Sequence, residues 1–301
     1  MSEVMVEVEG RLLKLTNLDK VLYPATRTTK GEVLNYYAQI SPVLLPLLAD
    51  RCVTRIRWPH GVSKESFFEK NTPAGTPSWV RTARVPTTGS RGPSRHGDTL
   101  VFPIVDDLAT LTWLANLAAL ELHVHQWTVA PDGELRGPDR LVIDLDPGAP
   151  AGLGECSQVA LLVRERLAGL GLDCRPVTSG SKGLHLYAPL VGEWADRDPD
   201  EVTGLAKELA EGLQADRPSL VTALMTKQRR GGKVFLDWSQ NSGSKTTVSP
   251  YSLRGGERPY VATPLTWAEV EAGAEDPLAI DQFTFPEVLE RVAEYGDLFT
   301  A

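Results

Sequence analysis

The sequence predicts a mixed α/β fold of the α+β kind, built from strand, helix and hairpin units. The run Arg140 to Asp146 (RLVIDLD) reads as a core strand and is followed by an amphipathic helix, Ser157 to Ala168, with Val159, Leu162, Val163 and Leu167 on one side. Strand-like segments at Cys174 to Thr178, Leu184 to Pro189 and Val234 to Trp238 flank a second amphipathic helix, Val202 to Leu213. The 301 residues, 42% hydrophobic and 23% charged, suffice for a sizeable core and have the balance of a globular protein.

From the N-terminus, short strand-like runs lead to a helix that starts near Thr29. Thr29 and Glu32 have the spacing of a capping box, and Val33, Leu34, Tyr37 and Ile40 supply the apolar period. Thr54 to Trp58 reads as a strand. Residues 71 to 99, rich in Pro, Gly, Thr and Ser, read as loop and short strand. Asp107 to Leu122 is apolar nearly all round, which predicts a buried helix. No stretch looks like a linker, so residues 1–301 are expected to form a single two-lobed domain. Residues 1–100, approximately, would be its N-terminal part and 101–301 its catalytic core.

Composition excludes several classes. No apolar run approaches a membrane span, so no membrane partner is expected, and MSEVMVEVEG is not a signal peptide. Cys52, Cys156 and Cys174 are scattered, which suggests neither a zinc module nor a disulfide framework and fits a reducing cytoplasm. The net charge of -8 argues against nucleic acid, but its distribution does not. Arg51, Arg55, Arg57, Lys64 and Lys70 form one basic group; Arg81, Arg84, Arg91 and Arg95 a second; Lys227, Arg229, Arg230 and Lys233 a third. They form either a shared basic face or ordinary solvated charge.

The sharpest chemical feature is Ile143-Asp144-Leu145-Asp146-Pro147. Alternate strand residues share a face, so Asp144 and Asp146 project together. Adjacent carboxylates repel unless a cation lies between them or one is protonated, and oxygen ligands suit Mg²⁺ or Mn²⁺. Asp237, set among apolar residues, could complete a two-metal site of the polymerase and nuclease kind. Between these acids lies Thr178-Ser179-Gly180-Ser181-Lys182-Gly183-Leu184-His185. Its glycines let backbone approach an anion, and Ser179, Lys182 and His185 add a hydroxyl, a charge and a ring donor. A second Ser-Gly-Ser-Lys spans Ser242 to Lys245. Each feature has a plainer alternative: solvated acids, a structural ion pair with Lys233, a Gly/Ser hairpin. Together they suggest a polyphosphate substrate.

The motifs "DLDP", "TSGSKGLHLY", "GGKVFLDWSQNSGSKTT" and "PYSLRG" resemble the polymerase domain of bacterial ligase D, a branch of the archaeo-eukaryotic primase superfamily that serves non-homologous end joining. "LTNLDKVLYPATRTTK", "RIRWPHGV", "FFEKNTP" and "LELHVHQW" extend the resemblance over nearly the whole chain, in order. The resemblance implies a primase-polymerase catalytic core with a central sheet, flanked by a smaller N-terminal part, in which Asp144, Asp146 and Asp237 bind two divalent ions, Mn²⁺ or Mg²⁺. Ser179, Lys182 and His185 would hold the incoming triphosphate, with Arg230, Arg254 and His123 at the nucleotide site and Gln240 near the ribose, where ribonucleotides are favoured. Lys20 and Lys30 match lysines that grip a downstream 5′-phosphate. Phe67 and Phe68 match aromatics that stack near the template gap, and Arg55 joins these expected DNA contacts. Lys182 stands where primases commonly carry arginine, a feature shared with the ligase D branch. His125 follows His123 closely and leaves the histidine assignment open between the two. The expected activity is DNA-dependent addition of nucleotides, NTP or dNTP, to 3′ ends at gaps and breaks in the cytoplasm, associated with the nucleoid. A Ku-like end binder and a DNA ligase would be partners. With no ligase or nuclease domain in the sequence, a free-standing protein and an excised domain are both open. The rivals are a two-metal nuclease and a non-catalytic DNA-end bridging module.

Overall fold

A computed structural model of the chain describes residues 3–86 and 99–300. Arg91 and Arg95 of the second basic group lie outside the described residues. The chain opens with an antiparallel hairpin, Glu3–Val8 against Arg11–Thr16, that turns Leu13 and Leu15 inward. Helix α1 (Lys30–Leu48) follows and is capped as its sequence dictates: Thr29 Oγ1 accepts from Glu32 N, and Glu32 Oε2 accepts from Thr29 N at 2.7 Å. Its buried stripe is Tyr36, Tyr37, Ile40, Leu44 and Leu48.

This helix covers a four-stranded antiparallel sheet made of β1 (Val53–Arg57), β2 (Phe67–Glu69), β3 (Ala119–Val124) and the late strand β9 (Thr247–Val248), in the order β9-β3-β1-β2. Residues 71 to 99, read as loop and short strand, include a strand, Thr82–Pro86, paired with Thr99–Pro103. The helix expected over 107–122 is shorter. Asp107 caps α2 (Leu108–Asn116), Ala118 takes a positive φ of 58°, and the chain continues as β3 at the centre of the sheet. A run buried on every side carries no period to separate helix from strand.

The second sheet has five strands: β4 (Arg140–Pro147), β5 (Arg175–Thr178), β6 (Leu184–Pro189), β7 (Val221–Thr222) and β8 (Val234–Asp237), in the order β5-β6-β4-β8-β7. All pairings are antiparallel except β7 with β8. Helices α3 (Leu153–Ala168) and α4 (Pro199–Asp216) run past both ends of the segments expected from periodicity alone, apart from the shared end of α3 at Ala168. They pack on the face formed by Leu141, Ile143 and Leu145. The alternation of β4 therefore places Val142, Asp144 and Asp146 on the opposite, helix-free face. There Val142, Val177 and Tyr187 pack on Val248 and Ala262, which joins the two sheets. The first core extends through Val124, well beyond residue 100, because β3 pairs with β1; helix α5 (Phe285–Tyr295) returns to it through Val288. The architecture is mixed α/β with a central sheet, as expected.

Candidate nucleotidyl-transfer site

The site is assembled at one end of the five-stranded sheet. Asp144 and Asp237 are direct cross-strand partners of β4 and β8, and Asp144 is also opposite His185 of β6. The register therefore sets an acid, an acid and an imidazole in a row. Strand β8 stops at Asp237, whose carboxylate accepts from Ser239 N at 3.1 Å and Ser239 Oγ at 2.5 Å and so caps the turn Trp238–Asn241. The turn returns Asn241 to β4, where its amide bonds both the N–H and the C=O of Val142. It also lifts Gln240 over the acids. Gln240 Nε2 lies 3.3 Å from Asp144 Oδ2 and 3.2 Å from Asp237 Oδ2.

The Gly/Ser loop is held against these acids by its glycines. Gly180 has φ +67°, and a Cβ there would sit 2.5 Å from Arg254 Cγ; a Cβ on Gly183 would sit 2.0 Å from the Leu145 carbonyl oxygen. Ser179 Oγ accepts from Ser181 N and Gly183 N, so its hydroxyl shapes the loop, and Lys182 is left exposed. Arg254 Nη1 donates to Ser179 O at 3.2 Å. A cavity of about 220 Å³ gathers His123, Asp144, Asp146, Ser179, Lys182, His185, Gln240 and Arg254. Arg230 approaches from the rim: Nη1 lies 3.4 Å from Asp146 Oδ2, with its guanidinium 3.5 Å over the Phe235 ring. A larger recess of about 550 Å³, with Phe102, Trp127 and Leu135 in its wall, holds none of the acids.

His123, not His125, faces the cavity. His125 is buried against Trp127 with ring centroids 4.3 Å apart, and burial pushes its pKa down to about 4. His123 is tied to Glu121, a residue that sequence reasoning missed. Glu121 Oε2 accepts from His123 Nε2 at 2.7 Å, while Oε1 accepts from Gly255 N at 2.9 Å and lies 3.5 Å from Arg254 Nε. Burial works to raise the Glu121 carboxyl, but the His123 hydrogen bond and the Arg254 charge outweigh it and hold its pKa low. Burial works in the same sense against His123 ionisation and lowers its pKa, although Glu121 opposes this. The available signal was an acid two residues before a candidate histidine on a strand, hence on the same face. Lys245, from the second Ser-Gly-Ser-Lys, also reaches the site; its Nζ is 3.8 Å from Asp237 Oδ2 and 2.6 Å from Ser239 Oγ.

The acids fit a divalent cation by chemistry. Asp144 and Asp237 already converge on a single donor, the Gln240 amide, and their oxygens are the hard ligands that Mg²⁺ and Mn²⁺ take. Asp146 is turned toward Arg230. Among the described residues, no three His, Cys, Asp or Glu side chains stand gathered as a ligand set.

The expected DNA contacts lie apart from the cavity. Phe67 and Phe68 are both exposed, by 42% and 59%, because β2 is an edge strand; a strand with one side in the core would have hidden one of them. Lys30 is buried, and its Nζ donates to Thr16 O and Asn116 Oδ1. Burial, reinforced by the charge of Lys20, lowers the Lys30 pKa to about 8. Lys20 Nζ donates to Pro59 O. Arg55 is not at the surface: its side chain is 1% exposed and donates to Glu69 Oε2 and Asn71 O. Of the first basic group Arg51 and Arg57 are turned to acids in the same way whereas Lys64 is exposed; of the second, Arg81 is paired and Arg84 is exposed. Arg51 pairs with Asp139, Arg57 with Glu69, and Arg81 with Asp50 and Asp106. Among the described residues no helix is long and apolar enough to cross a membrane.

Known proteins share this sequence and this fold. The chain is 49% identical over 289 residues to the multifunctional non-homologous end joining DNA repair protein LigD of Mycobacterium tuberculosis, covering 94% of this chain and 36% of that protein. It is 47% identical over 287 residues to the LigD protein of Mycolicibacterium smegmatis, covering 95% and 35%. The chain thus spans about a third of the length of these curated relatives. Among solved structures, the polymerase domain of Mycobacterium tuberculosis ligase D in complex with DNA superposes with a TM-score of 0.86 at 48% identity, covering 95% of this chain and 96% of that one. The family model for the LigD primase-polymerase domain matches residues 29–299, and the chain belongs to that family.

Proposed function

We propose that this chain is a DNA-dependent nucleotidyltransferase that adds nucleotides, with a preference for ribonucleotides, to 3′ ends at gaps and double-strand breaks during non-homologous end joining. One observation carries the reading: Asp144 and Asp146 share a cavity with Lys182, His185 and Arg254. Hydrolysis alone needs clustered acids, whereas transfer from a triphosphate also needs cations and donors placed beside them. The names of the relatives carry end joining and that of the solved structure carries DNA. By extension, a 5′-phosphorylated DNA gap is the proposed substrate, and a Ku-like end binder and a DNA ligase are the proposed partners.

Asp144, Asp146 and Asp237 would hold two divalent ions, Mn²⁺ or Mg²⁺. When bound, such ions supply a more acidic primer 3′-hydroxyl and screening of phosphate charge. Lys182, Arg254 and His185 offset the charge of the β- and γ-phosphates, and Arg230 adds a further guanidinium at the rim. Glu121 fixes the His123 ring through Nε2 and so determines which nitrogen faces the nucleotide. Gln240 is in position to meet the sugar. Lys20 would receive the 5′-phosphate, Lys30 would add its charge from beneath the surface, and Phe67 and Phe68 would stack on template bases.

The test is primer extension with Mn²⁺ on a gapped duplex, with and without a downstream 5′-phosphate, comparing ribo- and deoxynucleoside triphosphates. Templated addition that increases with the phosphate and favours ribonucleotides is expected. DNA binding without extension would replace this reading with a bridging module, and primer shortening would replace it with a nuclease.

A further inference from the structure

Strand β6 carries His185 and, two residues on, Tyr187 on the helix-free face of the central sheet, opposite Asp144 and Val142 of β4. His185 lines the catalytic cavity; Tyr187 lies outside it and is 1% exposed. The Tyr187 hydroxyl stands where the two sheets meet. It donates to Val248 O of β9 at 2.9 Å and lies 3.4 Å from His185 Nδ1. Val248 is in turn the cross-strand partner of His123 on β3. One hydroxyl therefore ties a histidine of the five-stranded sheet to the strand paired with a histidine of the four-stranded sheet, and both histidines line the same cavity.

The Tyr187 ring has little freedom. The Arg140 guanidinium lies 5.3 Å over it, the Phe299 ring meets it edge-on with centroids 5.3 Å apart, and Val142, Val177, Val248 and Ala262 pack around it. These contacts need the ring and not the oxygen. A buried hydroxyl costs desolvation unless it is hydrogen-bonded, so phenylalanine would fill the same space more cheaply. Burial pushes the phenol pKa upward, so the hydroxyl keeps its proton and remains a donor. What the oxygen adds is its two neighbours, and both belong to strands that bring histidines to the cavity. With Nδ1 of His185 facing this hydroxyl, Nε2 is turned to the acids, 3.5 Å from Asp144 Oδ1. An imidazole held at one nitrogen has the direction of the other fixed.

We propose that Tyr187 is a positioning residue of the nucleotide site: its hydroxyl orients the His185 ring and, through Val248, sets the spacing of His185 from His123. This deepens, and rests on, the reading of the two histidines as groups that meet the incoming nucleotide.

The experiment compares Tyr187→Phe and Tyr187→Leu with the wild type in the full chain. Calorimetric titration with ATP and Mn²⁺ gives nucleotide affinity, and extension of a gapped duplex gives KM for ATP and kcat separately. Tyr187→Phe keeps the packed ring, so it is expected to fold and to bind DNA as the wild type does. Its ATP affinity should fall, and its KM rise, by about tenfold, the scale of one hydrogen bond, with a smaller change in kcat. In His185→Ala no ring remains to be held, so adding Tyr187→Phe should weaken ATP no further. Wild-type affinity and KM in Tyr187→Phe, with loss only in Tyr187→Leu, would reduce Tyr187 to core packing and overturn the proposal. An undiminished effect of Tyr187→Phe in the His185→Ala background overturns it too. With Tyr187 unchanged, ring-nitrogen NMR signals assigned with His185→Ala should show Nδ1 hydrogen-bonded; a free Nδ1 refutes the assignment whether or not the variants fold. A wild type that binds no ATP overturns the nucleotide reading and this inference together, a result distinct from ATP bound equally by wild type and Tyr187→Phe.

Discussion

On the five-stranded sheet, Asp144 and Asp146 stand on a face left clear of helices and meet Lys182, His185 and Arg254 across an open cavity, with Asp237 the cross-strand partner of Asp144 beside them. On the four-stranded sheet, Arg55, Arg57 and Glu69 meet one another, with Arg55 sealed beneath the surface. Both regions look alike as strings of charged letters. They differ in what lies opposite each side chain. In the first sheet Asp144 of β4 faces Asp237 of β8, and Arg230 and Lys245 reach the acids only at 3.4 and 3.8 Å, which leaves charge for a partner from outside; in the second, cross-strand register sets Arg55 opposite Glu69 at 2.6 Å and the charge is neutralised within the fold. A charge cluster points to a ligand when its own neighbours cannot neutralise it.

Four substitutions can break or sharpen this contrast. Asp144→Ala should reduce nucleotide incorporation by about 10³-fold, the scale of several kcal/mol of lost transition-state stabilisation, with DNA affinity nearly unchanged. Single-turnover extension on a primed template measures it, and normal incorporation would remove the central sheet from the chemistry. Arg55→Met should behave oppositely. It should cost about 2–3 kcal/mol in urea unfolding, since Glu69 retains only Arg57, and leave DNA affinity as it was. A fall in DNA affinity at constant stability would falsify the division between the sheets.

Phe68→Ala sharpens the contrast within the four-stranded sheet, because Phe68 is its outward-facing element. Single-strand template affinity should fall by about 1–2 kcal/mol if a base stacks there, with stability unchanged to within about 0.5 kcal/mol. Equal affinity would return Phe68 to the ordinary surface. The last test is one of pH and concerns Lys30. Its native pKa, near 8, lies below the unfolded value near 10.5. Between these values the unfolded chain binds a proton that the native chain does not, so stability rises with pH; below pH 8 the cost is constant. The melting temperature of Lys30→Met relative to wild type should therefore be most favourable at pH 7 and decline as pH passes from 8 to 10.5. A flat difference would show that Lys30 is not desolvated in solution.

Much of the central sheet was legible in the sequence because its strands carry a strong period. Leu141, Ile143 and Leu145 alternate with Val142, Asp144 and Asp146, and that alternation alone assigns the acids to one face. The Thr29 cap was legible because a capping box is local chemistry. The end of α2 was not: Leu108 to Leu122 is apolar at most positions, and the positive φ at Ala118 is where helix gives way to strand. Arg55 was misplaced for a related reason. Its fate depends on Glu69, fourteen residues away, and on a hairpin register that composition does not encode. Glu121 was missed because it acts through His123 and Arg254, so its role exists only once β3 and the Arg254 turn are brought together.

The contact between Gly183 and the Leu145 carbonyl has a consequence for how the protein measures its substrate. With no side chain between them, the loop rests on the backbone of the strand that carries the acids, so the separation of the two is one polypeptide thickness. No rotamer can lengthen or shorten it. Under the proposed function, loop and strand would act as a fixed gauge, one jaw set by the carboxylates and the other by Lys182 on the loop. A ligand one phosphate too short or too long would fail to span both jaws, so discrimination by length would come from main chain that point substitution elsewhere in the cavity leaves untouched.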